Sequence, residues 1–214
     1  MKLQAIETHY AGHRFRSRLE ARWAVFFNHL GIRWEYEPQG YMIGPYFPEC
    51  PTWVDTRRPY LPDFWLPGHR LWVEVKGSVN NIDNELILDA SISHLNWGLP
   101  ADPHGGVFND GTRNTRRMLI LGQIPPDTKN VVVHALTGFH KGDVGVQDAE
   151  FTDAGRVEAY GERGYLGADY GSDNADPKLD LVSPLYFRNL QQHHKVRAAY
   201  TAARKARFEH GESG

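Results

Sequence analysis

The chain is poor in what staples or anchors a protein. Cys50 is the only cysteine among 214 residues, which excludes an intramolecular disulfide and a thiolate-based zinc site. No apolar run reaches the roughly 18–20 residues of a membrane-spanning helix, and no leader pattern is visible. The expectation is a cytoplasmic protein, or one of the host cytoplasm if virus-encoded, with no membrane partner. Surplus positive charge is also missing. There are 24 Lys and Arg against 26 Asp and Glu, a formal net charge of −2. Any surface for nucleic acid must therefore be local. Internal repeats are absent, as is an HExxH pattern, and the dispersed histidines do not suggest zinc. What is present is apolar: 41% hydrophobic and 12% aromatic residues, enough for one domain with a sizeable core.

The most informative stretch is Tyr60 to Gly77, YLPDFWLPGHRLWVEVKG. Two runs of apolar, aromatic and β-branched residues flank Pro67-Gly68-His69-Arg70, which reads as a β-hairpin. A turn centred between Gly68 and His69 opposes Leu66 to Leu71, Trp65 to Trp72, Phe64 to Val73 and Asp63 to Glu74. Directly opposed residues share a face. One face then carries Leu61, Asp63, Trp65, Trp72, Glu74 and Lys76. The other carries Phe64, Leu66, Leu71, Val73 and Val75, and is expected to pack on a core. Two carboxylates side by side resist ionisation, and a hard divalent cation resolves the conflict. Lys76 falls on the same face. The ordinary alternative is a surface hairpin with a cross-strand Lys–Glu pair.

Pro62-Asp63, a ten-residue gap and Glu74-Val75-Lys76 together resemble the signature of the PD-(D/E)XK nuclease superfamily. The resemblance covers roughly residues 14–122. It implies an αβββαβ core and hydrolysis of DNA phosphodiester bonds with Mg²⁺, for which Mn²⁺ can substitute. Asp63 and Glu74 would hold the ion with the backbone carbonyl of Val75, and Lys76 would serve the attacking water. Arg16-Ser17-Arg18-Leu19-Glu20-Ala21-Arg22 resembles the first core helix of phage and bacterial members, where a glutamate reaches the metal. Glu20 is thus the third acidic candidate. Seen alone, Glu20 is a helix-surface carboxylate paired with Arg16 one turn earlier.

The rest of the chain supplies a frame. Residues 1–13 read as a short strand or arm and a turn. Residues 14–30 read as a helix ended by Gly31, with Phe15, Leu19, Trp23, Phe26, Phe27 and Leu30 on one apolar arc. Arg18, Arg22 and His29 fall on its solvated face. Residues 32–47 suggest strands, with Glu35 and Glu37 on a solvated face and Glu37 the better metal-proximal candidate. A Pro-rich loop follows (48–59). A helix is expected over 82–96, a loop from Gly98 to Asn114, and buried strands at Met118–Leu121 and Val131–Leu136. Residues 138–181 are Gly-rich and acidic and read as an irregular insertion with one or two strands, facing away from DNA. A basic helix should run from about Leu185 to 209.

The expected fold class is α/β of the mixed α+β kind: a restriction-endonuclease-like core over residues 1–137, with an extension (138–214) packed on it as one domain. The expected activity is a metal-dependent DNA endonuclease. Arg14, Arg16, Arg18, Arg116 and Arg117 are candidate DNA contacts, and a homodimer is possible. The alternatives are a branched-DNA resolvase or exonuclease of the same superfamily, and a catalytically silent DNA-binding or assembly module.

Overall fold

The computed structural model describes residues 6–44, 57–92, 98–104, 117–127, 129–140, 143–164, 183–190 and 193–208. The chain opens with the hairpin β1 (Thr8–Tyr10) and β2 (His13–Phe15), followed by helix α1 (Arg18–Leu30). Strands β3 (Glu35–Tyr36), β4 (Tyr41–Ile43), β5 (Arg58–Tyr60), β6 (Phe64–Leu66) and β7 (Leu71–Val75) lead to helix α2 (Asn84–Ile92). Then come β8 (Arg117–Leu121), β9 (Asn130–His140), β10 (Asp143–Phe151), β11 (Val157–Gly164), β12 (Ser183–Asn189) and helix α3 (His194–Lys205).

Seven strands form one mixed sheet in the order β11-β10-β9-β8-β7-β6-β3, and an eighth, β12, pairs on β9. Its neighbours are antiparallel except β7 and β8, which run parallel with Glu74 beside Ile120 and Val75 beside Leu121. A parallel pair needs a crossover, and α2 lies in the chain between those two strands. The hairpin register is as expected: Phe64 pairs with Val73, Trp65 with Trp72 and Leu66 with Leu71.

Both faces of the sheet are covered. Phe64, Leu66, Leu71, Val73 and Val75 join a core with Trp23, Phe26 and Phe27 of α1 and Val196 and Tyr200 of α3. Trp65 and Trp72 join a second core with Ile87 and Ala90 of α2 and with Met118 and Ile120. The hairpin is therefore interior, and the surface-hairpin alternative does not describe it.

Helix α1 begins four residues later than the expected span of 14–30. Ser17 is the N-cap, and its hydroxyl accepts the Glu20 N–H at 3.2 Å. Ser17-x-x-Glu20 is a capping-box arrangement, which lets Phe15 serve in β2 instead. The helix ends at Gly31, whose φ of 68° is left-handed and whose N–H caps the last turn. Helix α2 likewise starts later than expected, because Asp83 accepts the Leu86 N–H at 2.9 Å.

Two expectations for the C-terminal part are corrected. The one or two strands expected within 138–181 are present, but as a regular hairpin rather than an irregular insertion: β10 and β11 pair and extend the main sheet. The turn of this hairpin packs on the end of α1, where a Cβ at Gly155 would lie 2.7 Å from the Leu30 carbonyl oxygen. Residues 183–189 are strand, not helix, because Ser183–Leu185 pair with Val131–Val133, and α3 starts only at His194. Strand β9 runs across the 137/138 boundary. Phe151 and Tyr200 share one core with α1, so the extension is continuous with the rest. Among the described residues no helix is long and apolar enough to cross a membrane.

Candidate functional site

The end of the β6–β7 hairpin opposite its turn gathers charge. Regular pairing stops at Phe64, and the Asp63 N–H bonds to the Val73 carbonyl at 3.1 Å. The expected Asp63–Glu74 rung is thus not part of the ladder. The two side chains still share a neighbourhood. Each residue is only 3% exposed, and the Glu74 charge bears directly on Asp63.

Each carboxylate is held by specific donors. Asp63 Oδ2 accepts the Val75 N–H at 2.7 Å, and Oδ1 accepts from Arg16 Nη2 at 2.7 Å. Glu74 Oε2 accepts the Tyr60 hydroxyl at 2.7 Å, and Oε1 is ion-paired with Lys76 Nζ. Lys76 takes its place because its own N–H continues the β7–β8 ladder to the Leu121 carbonyl at 2.8 Å. Alternation then returns its side chain to the face of Glu74.

Glu20 sits behind this pair. Its Oε1 accepts the Ser17 hydroxyl at 2.7 Å, and its Oε2 accepts the Tyr36 hydroxyl at 2.7 Å and the Arg16 N–H at 3.1 Å. The i−4 pairing with Arg16 is thus made by the Arg16 backbone. The Arg16 guanidinium goes elsewhere, to Asp63 and, through Nε, to Glu37. Glu37 reaches it from a left-handed backbone, φ 44°, an uncommon conformation for a non-glycine residue and one that clusters at functional sites. Glu35 pairs instead with His104 at 2.7 Å.

The electrostatics follow from this crowding. Burial first, then the Glu74 and Glu20 charges, push Asp63 well above the ordinary carboxylate range; the Val75 N–H and Lys76 act the other way. Burial disfavours the Lys76 charge, but Glu74 and Asp63 outweigh it and its pKa is raised. Arg16 behaves alike: Asp63, the Tyr36 hydroxyl, Glu37 and Glu20 overcome its desolvation. Burial and Glu74 raise Tyr60, which stays a protonated donor.

A groove of about 570 Å³ opens beside these groups, and Arg16, Tyr41, Tyr60, Glu74 and Lys76 are among its walls. Asp63 is not one of them. Among the described residues no three His, Cys, Asp or Glu side chains converge as a metal-holding group. The chain's H-x₃-H spacing, His9 to His13, spans the β1–β2 turn, and the His13 ring packs at a tilt against Trp34 with 4.9 Å between ring centres.

The structure brings together Asp63, Glu74, Lys76, Glu20, Arg16, Val75 and Glu37, and adds Tyr60 and Tyr36. It does not gather all the candidate arginines. Arg14 pairs with Glu7 on the β1–β2 hairpin. Arg18 is partly buried in the first turn of α1. Arg117 lies beside Leu71, three residues and roughly 10 Å along the strand from Glu74. Arg116 lies outside the described residues, as does Cys50. Tyr60 carried a legible signal, since it precedes Leu61-Pro62-Asp63 and is apolar enough to be buried beside an acid. Tyr36 carried none beyond strand alternation.

No protein-family model, no curated protein and no solved structure matches the chain.

Proposed function

We propose that the chain is a Mg²⁺-dependent deoxyribonuclease, with Mn²⁺ able to substitute, that hydrolyses phosphodiester bonds at a PD-(D/E)XK-type site. The observation that carries the reading is the meeting of buried Asp63 and Glu74 with Lys76 beside an open groove. Acids this buried and this close cost stability, and perturbed groups at a cleft point to function. With the separate β4–β5 pair set aside, α1, β3, β6, β7, α2 and β8 follow in that order, β3-β6-β7-β8 are adjacent and only β7–β8 run parallel, which supports an αβββαβ plan.

The donor set fits the ion. Glu20, Glu37, Asp63 and Glu74 face Arg16 and Lys76; four negative charges less two positive leave a formal −2, which one divalent cation balances. Mg²⁺ takes one or two carboxylates and keeps several waters, so the lack of a third converging acid is no obstacle. Asp63, Glu74 and the Val75 carbonyl would hold it, with Glu20 acting through water, since its Oε2 already accepts two hydrogen bonds. When bound, the ion supplies Lewis-acid polarisation of the phosphate and a more acidic water.

The remaining chemistry belongs to the chain. Lys76, ion-paired with Glu74 on the groove wall, would position or deprotonate the attacking water, or offset charge growing on the phosphate. The Tyr60 hydroxyl fixes Glu74 Oε2. Arg14, Arg16 and Arg18 are candidate phosphate contacts, which position DNA without reading its sequence. The test is a panel of linear, nicked, flapped and four-way DNA, incubated with Mg²⁺ and with EDTA. Cutting that needs the metal is expected. No cutting of any form returns the chain to a binding or assembly module.

A further inference from the structure

Arg16 is bound more elaborately than a phosphate contact requires. Its N–H donates to Glu20 Oε2 at 3.1 Å and to the Tyr36 hydroxyl at 3.0 Å. Its guanidinium bridges Asp63 and Glu37. The side chain is nevertheless 53% exposed, whereas that of Asp63 is 4% exposed. Arg16 and Glu74 line the groove and Asp63 does not. The guanidinium therefore stands between the groove and the carboxylate Oδ1 that it bonds.

We propose that Arg16 is a cation gate: its guanidinium occupies the place beside Asp63 that a divalent cation needs, and it must move for the ion to bind. The proposal rests on the metal-dependent reading of this site. The physical argument is competition for one carboxylate. Asp63 Oδ2 is already committed to the Val75 N–H, and Oδ1 is the oxygen Arg16 shields. An ion approaching from the groove meets a fixed positive charge before it meets Asp63. A guanidinium is always charged and forks between two acids, so it offsets part of the negative charge of the metal-free site. Glu37, on its strained backbone, gives the guanidinium a second anchor from which it can leave Asp63 without leaving the rim. A DNA phosphate arriving in the groove offers a third anion and favours the open position. Arg16 is thus a positioning residue that couples cation and phosphate binding, a coupling reciprocal by necessity.

The decisive measurement is Mn²⁺ affinity without DNA, by isothermal titration of the full chain, for the wild type, Arg16→Gln, Arg16→Lys and Asp63→Asn. Arg16→Gln should bind Mn²⁺ about tenfold more tightly, within the usual range of site coupling. Arg16→Lys, with one ammonium that cannot fork, should fall between, and Asp63→Asn should bind weakly or not at all. Thermal melts establish that each variant is folded, and Arg16→Lys serves if Arg16→Gln is not. Equal or weaker binding by Arg16→Gln, with Asp63→Asn still defective, overturns the gate and leaves the metal site standing. Binding by neither the wild type nor Arg16→Gln overturns both. Binding only when Arg16 is replaced supports the gate in its strongest form.

Discussion

The two faces of the β6–β7 hairpin are made by alternate residues of the same two strands, yet they do opposite things. One face, Phe64, Leu66, Leu71, Val73 and Val75, is apolar from end to end and lies in the core shared with α1 and α3. The other starts the same way, with Trp65 and Trp72 packed at 4.8 Å between ring centres. It then changes to Asp63, Glu74 and Lys76, buried or half-buried beside a groove. The first face gains from burial, at roughly 25 cal/mol per Å² of apolar surface. The second sets its Trp pair against the desolvation of acids. A fold selected for stability alone would have continued the tryptophans. The contrast sets the charged end of the sheet apart without reference to any other protein.

The sharpest way to break the contrast is to neutralise the charged end. Asp63→Ala or Lys76→Ala should lower the rate of DNA cutting by about 10³-fold or more, as expected for removing groups that act electrostatically in the reaction. Far-UV circular dichroism should be unchanged. A variant that cuts like the wild type in Mg²⁺ ends the nuclease assignment. The reverse experiment is Leu66→Ala on the apolar face. It should cost about 2–5 kcal/mol in denaturant unfolding, while activity per folded molecule is kept. If activity falls in proportion to stability for both classes of variant, the two faces are not functionally distinct.

Smaller effects sharpen the comparison at the boundary. Tyr60 belongs to the tryptophan core through its ring and to the charged end through its hydroxyl. Tyr60→Phe leaves a buried carboxylate oxygen without its donor, and should cost about 1–3 kcal/mol in stability together with a weaker hold on Mn²⁺. An unchanged Mn²⁺ affinity would detach Tyr60 from the site. The smallest effect is in pH. The folded state raises Asp63, through burial and then Glu74, so it binds the proton more tightly than the unfolded chain does. That contribution is complete below the ordinary carboxylate range and is lost as pH rises through the raised value, by at most about 1.4 kcal/mol per pH unit. In EDTA, the melting temperature of the wild type should fall relative to Asp63→Asn as pH rises over that window. Saturating Mg²⁺ should remove the difference. A parallel pair of curves in EDTA would show that Asp63 is not raised.

The hairpin was the most legible part of the chain because its information is local. Turn residues and the two-residue period of a strand determine register, and a shift of one residue would carry five apolar side chains to the face that holds the tryptophans and the carboxylates. Helix α1 was legible in its packing face but not in its start. The arc extends to Phe15, yet Ser17 and Glu20 compete for the backbone and cap the helix at Arg18. Residues 183–189 were misread for a different reason. Their strand character depends on an available edge of β9, which no local pattern reports. The site was legible as Asp63, Glu74 and Lys76 because they fall within one hairpin. Arg16 was noted as a cation near DNA. Its bond to Asp63, 47 residues away, was not readable, because side-chain direction at a helix entrance depends on the cap.

By itself, then, the amino-acid sequence determined the hairpin, its register, the division of its residues between two faces, and three of the groups at its charged end. Those follow from backbone periodicity and turn chemistry, which act over a few residues. Only the tertiary structure decided that both faces are buried, that Tyr60 and Tyr36 supply the donors, and that Arg16, on the groove wall, bonds Asp63. Those are contacts between elements distant in sequence, and they exist only once the sheet and α1 are packed together.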